Sequence, residues 1–217
     1  MTKQFHEQVE GLRKRVLRMG KEARSSLLDG VKSLVEDDPK LAAEVVARGE
    51  ALNRLDVELE RDALDLLALN QPMAQDLRTI GASLKIITYL DRIGRYGYDI
   101  AKVELTLNEG QKAPRKPVAF QLMTESAVKM LDQALEAYAA RDAAKARAVK
   151  KQDDVVDGLE DEIFRQCVTY MMEDPRTITA CSHYILVARH LERAADNASK
   201  IAEKALYMVT GERRLQV

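Results

Sequence analysis

The chain has 217 residues, with 34 Lys and Arg against 35 Asp and Glu, and a net charge of -1. An apolar content of 46% excludes a disordered chain, and the even interleaving of both charge signs argues against a nucleic-acid binder. No apolar run exceeds five residues, as in Tyr184 to Ala188, where a membrane-spanning helix needs about 20.

Only 10 Gly, 5 Pro and 5% aromatic residues interrupt a composition rich in Ala, Leu, Glu, Lys and Arg, which predicts long helices. Apolar residues recur at steps of three and four from Phe5 through Val16 and Leu27 to Leu34, the stripe of a first helix. It stops at Asp37-Asp38-Pro39, where Asp38 suits an N-cap and Pro39 the first position of the next helix. The second helix runs from Leu41 to about Asn70-Gln71-Pro72, and the third continues through Met73, Leu77, Ile80, Leu84 and Ile87. Residues 108–117 form the strongest breaker cluster. The pattern resumes at Phe120, a fifth helix follows the cap Asp142, and Asp174-Pro175 starts a sixth.

The two halves look alike. Arg78-Thr79-Ile80 and Arg176-Thr177-Ile178 are 98 residues apart, while Asp91-Arg92 and Glu192-Arg193 are 101 apart. This predicts an all-α fold of two tandem antiparallel three-helix bundles related by internal duplication. The expected repeats are 1–109 and 117–217, joined by a linker at 110–116.

Continued past Ile87, the third-helix stripe reaches Asp91, then Gly94, Tyr98 and Ala101; the sixth-helix stripe reaches Glu192 after Ala188. A carboxylate facing a core is costly unless it is paired, protonated or bound to a cation. Glu192 and Asp196 share a helix face, as do Asp153 and Asp157, while Glu50, Asn53, Asp56 and Glu60 line one broad side of the second helix. Carboxylates with little histidine suit hard, oxygen-seeking ions, although such pairs also make ordinary solvated or salt-bridged faces. None of His6, His183 and His190 follows a Glu by three residues, which removes a ferritin-like di-iron bundle. GxGxxG, Walker A and HExxH are absent. Gly94 and Gly97 suit a close helix contact beside Tyr96 and Tyr98. Cys167 and Cys181 read as buried thiols of a reducing compartment. The opening residues, Met-Thr-Lys-Gln-Phe-His-Glu, contain no apolar h-region, so no secretory signal is expected.

On these residues the sequence resembles the PhoU family of phosphate-transport accessory proteins and phosphate-signalling regulators. The matching stretches are Asn70-Gln71-Pro72 with Asp76-Leu77-Arg78, Asp91-Arg92-Ile93-Gly94, Thr169 to Ile178, and Ala188 to Asp196. The resemblance implies a cytoplasmic regulator rather than an enzyme. It would link the ATPase subunit of a phosphate ABC transporter to a sensor histidine kinase and repress the phosphate-starvation response. It would meet the membrane only through these partners.

The resemblance also implies multinuclear iron or zinc, otherwise manganese or magnesium, on acids of each third helix: Glu192 and Asp196 in the second half, Asp91 in the first. Asp153 and Asp157, with Glu50 and Asp56, would supply supporting ligands. Arg92 and Arg193 would serve partner binding. Arg95 stands where the family pattern has a second acid, so the Glu192 side is expected to be the better metal site. A metal-free helical adaptor and a metal-dependent phosphoesterase remain as alternatives, and the oligomeric state stays open between a homodimer and a monomer.

Overall fold

The structure, a computed structural model, describes residues 3–107, 113–149 and 152–212. The first half is α1 (Lys3–Glu36), α2 (Pro39–Asn70) and α3 (Ala74–Leu107). The second is α4 (Ala119–Ala140), α5 (Ala143–Val149), α6 (Asp153–Glu173), a 3-10 turn (Pro175–Thr177) and α7 (Ile178–Thr210). No strand occurs among the described residues. The expected linker at 110–116 falls partly outside the described residues.

Three helix starts follow from one acid each. Asp38 Oδ1 accepts from the Lys40 and Leu41 amides at 3.1 and 3.0 Å, ahead of Pro39. Asp142 Oδ1 accepts from Ala144 and Lys145 at 2.8 and 3.0 Å, and Asp174 Oδ1 accepts from Arg176 at 3.1 Å. Each satisfies amides that a helix leaves unpaired at its start.

The expected fifth helix is two, α5 and α6. Residues 150–154 read Lys-Lys-Gln-Asp-Asp, with no apolar anchor between buried Val149 and buried Val156 other than exposed Val155. Met73, read as the start of the third stripe, is 74% exposed and precedes α3.

Each half packs as an antiparallel three-helix bundle, α5 and α6 together taking the place of one helix in the second, and the halves then join along α3 against α7 and α1 against α4. One buried apolar cluster runs through both, from Phe5 to Met208. Polar ties cross the same joint. The buried Arg13 guanidinium donates to the carbonyls of Tyr138 (2.9 Å) and Ala139 (2.7 Å). Ser83 Oγ and Tyr138 Oη lie 2.6 Å apart.

α1 and α3 cross at glycines, as their spacing suggested. A Cβ on Gly97 would stand 2.3 Å from the Ser26 carbonyl oxygen, and one on Gly30 would stand 2.3 Å from that of Gly97. Ser26 Oγ closes the crossing by donating to the Gly94 carbonyl at 2.9 Å.

The register of the duplication follows the acids rather than the Arg-Thr-Ile motif. An offset of 101 carries the α3 start at Ala74 onto Pro175 and Asp91 onto Glu192. It also superimposes the buried Ile80, Ile87, Leu90, Gly94 and Ala101 on buried Cys181, Ala188, Leu191, Ala195 and Ala202. Arg176-Thr177 belongs to the 3-10 turn, whereas Arg78-Thr79 already lies within α3, which accounts for the three-residue difference.

Candidate functional site

Leu90 and Leu191 point into the core with no exposed surface. The next residue along a helix is turned by about 100°. Asp91 and Glu192 therefore flank the core instead of facing it, and both are half-buried. This corrects the stripe reading. α3 and α7 bury a broad face because each packs against several helices, so the centre of that face is displaced from the spacing pattern.

In the second half, Glu192 keeps 21% of its side chain exposed, Asp196 half, and Glu160 27%. Arg189 reaches Glu160 at 3.4 Å and Glu192 at 3.6 Å, and Lys200 pairs with Asp196 at 2.9 Å. Burial raises the Glu192 carboxyl above its ordinary value; Arg189 opposes this, while Asp196, Glu160 and Asp157 add to it. Glu192 Oε2 is buried and accepts no hydrogen bond. Asp157 is exposed. Asp153 opens α6, but its side chain lies outside the described residues.

In the first half, Asp56 of α2 faces Asp91 of α3. Burial raises the Asp56 carboxyl, and the charges of Asp91 and Glu60 raise it further. Asp56 Oδ1 is buried without a hydrogen-bond partner. Burial also raises Asp91, against the pull of Arg95 and Arg92. Glu50 is 86% exposed and pairs with Arg54 at 3.5 Å. It shares with Asp91, Arg95 and Tyr98 the lining of an open pocket of about 380 Å³.

The candidate acids thus gather within each half, α2 with α3 and α6 with α7, and not across the halves. Glu160 escaped the sequence reading. The signal was the apolar register: Val156, Ile163 and Cys167 lie 104 residues beyond Leu52, Leu59 and Ala63, all buried, which makes Glu160 the counterpart of Asp56. The cation on Glu192 is Arg189, not Arg193. Arg92 and Arg193 are exposed and make no ion pair among the described residues. His190 stacks on Tyr96, ring centres 5.6 Å apart, rather than joining the acids.

Among the described residues no three His, Cys, Asp or Glu side chains converge tightly enough to hold one metal ion. The all-oxygen donors and the orphaned Glu192 oxygen fit a hard cation in chemistry, but their spacing, with Arg189 and Lys200 between them, does not. Loading would need both long side chains to swing to solvent. The first half fits less well, because Arg95 occupies the place of Asp196.

The PhoU domain matches this chain twice, at residues 16–103 and 120–205. A relative from Caulobacter vibrioides is 40% identical over 97% of this chain and 92% of its own length. One from Rhizobium meliloti is 36% identical over 95% and 87%. Both bear the name phosphate-specific transport system accessory protein PhoU homolog. The crystal structure of PhoU from Pseudomonas aeruginosa superimposes with a TM-score of 0.91 at 34% identity, covering 96% of this chain and all of that one. The phosphate transport system regulatory protein PhoU from Streptococcus pneumoniae gives 0.88 at 26% identity, covering 98% and 100%.

Proposed function

The chain belongs to the PhoU family, and from that premise we propose that it regulates phosphate uptake and phosphate-starvation signalling as a helical adaptor. Its partners in this reading are the ATPase subunit of a phosphate ABC transporter and a sensor histidine kinase, and it works in the cytoplasm as a regulator, not a catalyst. The observation that carries the reading is the near full-length likeness to relatives named as accessory proteins of phosphate-specific transport. No helix among the described residues is long and apolar enough to cross a membrane.

The acid clusters offer a mechanism for control. Arg92 and Arg193 stand exposed beside Asp91 and Glu192 and are available as anchors for a partner. A bound iron, zinc, manganese or magnesium ion would neutralise the carboxylates and change the charge of that face. The ion pairs of Arg189 and Lys200 favour the second reading, a metal-free adaptor in which protein cations already do this.

The test is binding of the purified ATPase subunit and the kinase's cytoplasmic portion to wild type and to Glu192→Lys/Asp196→Lys. Weaker binding by a fully helical variant is expected; unchanged binding with unchanged helicity would sink the docking face. Elemental analysis of wild type beside Glu192→Ala/Asp196→Ala separates the two readings. About one ion or more per chain, lost in the variant, supports metal control, and none in either supports the metal-free adaptor.

A further inference from the structure

At the end of α3 opposite the first acid cluster, Glu104 is 1% exposed. The position looks unremarkable in sequence, a charged residue beside apolar Leu105. Four parts of the fold meet here. Lys116, its side chain 12% exposed, comes from the segment joining the halves and pairs with Asp37 in the α1–α2 turn. Asp37 itself is 78% exposed and sits in the left-handed region, at φ 55°. Tyr184 of α7 donates from its buried hydroxyl to the Pro114 carbonyl at 3.2 Å. Pro117 of the same segment is buried.

The charged and titratable groups facing Glu104 are therefore Lys116 from the linker, Asp37 and Asp38 from the turn, and Tyr184 from α7. Among the described residues one cation, Lys116, serves these three acids. While Glu104 is neutral, Lys116 is free to pair with the exposed Asp37, as observed. Once ionised, Glu104 is a buried charge beside two like charges, and with Lys116 held on Asp37 it is relieved best by water.

We propose that Glu104 is a proton-operated latch on the 113–118 linker: in its neutral form the linker stays docked on the α1–α2 turn, and on losing its proton it pulls in water, which parts the linker and turn from α3. The latch is independent of the metal and docking readings. Burial pushes the Glu104 carboxyl from 4.5 to about 7, with Lys116 pulling it down and Asp37 and Asp38 pushing it up. An opening that returns this carboxyl to water binds fewer protons than the closed state. It therefore becomes easier as pH rises, by up to tenfold per pH unit and about 300-fold in all between the two values.

The experiment is amide hydrogen exchange at Asp38, Phe120 and Gln121, whose amides donate to the Ser33, Pro117 and Val118 carbonyls, from pH 5 to 8.5, corrected for intrinsic exchange, on the full chain and on Glu104→Gln. Wild type should show opening that rises by about two orders of magnitude and levels off near pH 7, and Glu104→Gln should be flat. In parallel, the Glu104 carboxyl carbon, followed by NMR, should titrate near neutrality and higher still in Lys116→Met. Equal pH profiles in wild type and Glu104→Gln, or a Glu104 titration near 4.5, would overturn the latch.

Discussion

The crossing of α1 and α3 can be tested with a single methyl group. In Gly97→Ala the new Cβ would stand 2.3 Å from the Ser26 carbonyl oxygen, 2.4 Å from its carbon and 2.6 Å from the Leu27 nitrogen. All three are backbone atoms inside a helix, so no rotamer change relieves them. Ordinary contact begins near 3.4 Å, so the helices must part by about 1 Å. That separation loosens Ala23, Leu27 and Val31 and stretches the Ser26–Gly94 hydrogen bond. Forcing a methyl into a packed core costs up to about 3 kcal/mol. The better helix propensity of Ala returns about 1 kcal/mol. The net loss is about 2 kcal/mol, or a Tm lower by roughly 4–8 °C for a chain of this size.

Gly81→Ala is the internal control. It lies on the same helix with nothing within 4 Å of its Cβ, so propensity alone acts and the variant should gain about 0.5–1 kcal/mol. Urea unfolding followed by circular dichroism at 222 nm reads both. If Gly97→Ala is as stable as Gly81→Ala, the crossing is not a close backbone contact and the argument fails.

Arg13→Met should cost about 2–3 kcal/mol in the same assay, because it strands the Tyr138 and Ala139 carbonyls at the end of α4; a loss below 0.5 kcal/mol would show that water replaces the guanidinium. Asp38→Ala should cost about 1 kcal/mol by uncapping α2, and an unchanged urea midpoint would refute the cap. Asp56 carries a carboxyl raised above its ordinary value, so the folded chain holds that proton more tightly than the unfolded one. Its stabilising effect is present below the ordinary value and fades as pH rises through the raised one. Asp56→Asn should therefore be more stable than wild type at pH 7 and gain little at pH 4; a variant less stable at pH 7 would refute this. Arg95→Asp gives the first half the acid pair of the second. Calorimetric titration with manganese should then show tighter binding than wild type; no change would remove Arg95 as the reason for asymmetry.

The helices and their caps were legible because each depends on neighbours in sequence: Asp38, Asp142 and Asp174 cap amides two or three residues away. The duplication was legible too, but its register was not, since Arg176-Thr177 lies in a 3-10 turn that no local pattern distinguishes from a helix start. The acids were visible and their setting was not. Whether Asp91 faces the core or its edge depends on how many helices cover α3, and the packing of α3 on α7 is a contact between halves. Glu104 and Arg13 were missed for the same reason: both are charged residues buried by elements far away in the chain. Glu160 was recoverable only by aligning the buried stripes of α2 and α6, where one face of each helix is solvated and the offset of 104 differs from that of α3 and α7.

The common core between the halves should leave neither half able to fold by itself. A chain cut within the linker would leave Ser83 without Tyr138, and Arg13 without its two carbonyls, each on a face that is apolar in the intact molecule. The heat capacity of the whole chain should show one endotherm with equal calorimetric and van't Hoff enthalpies, despite the repeated architecture. A ligand on either set of helices would then raise the melting temperature of both, so occupancy of one half is felt thermodynamically by the other without any change of shape.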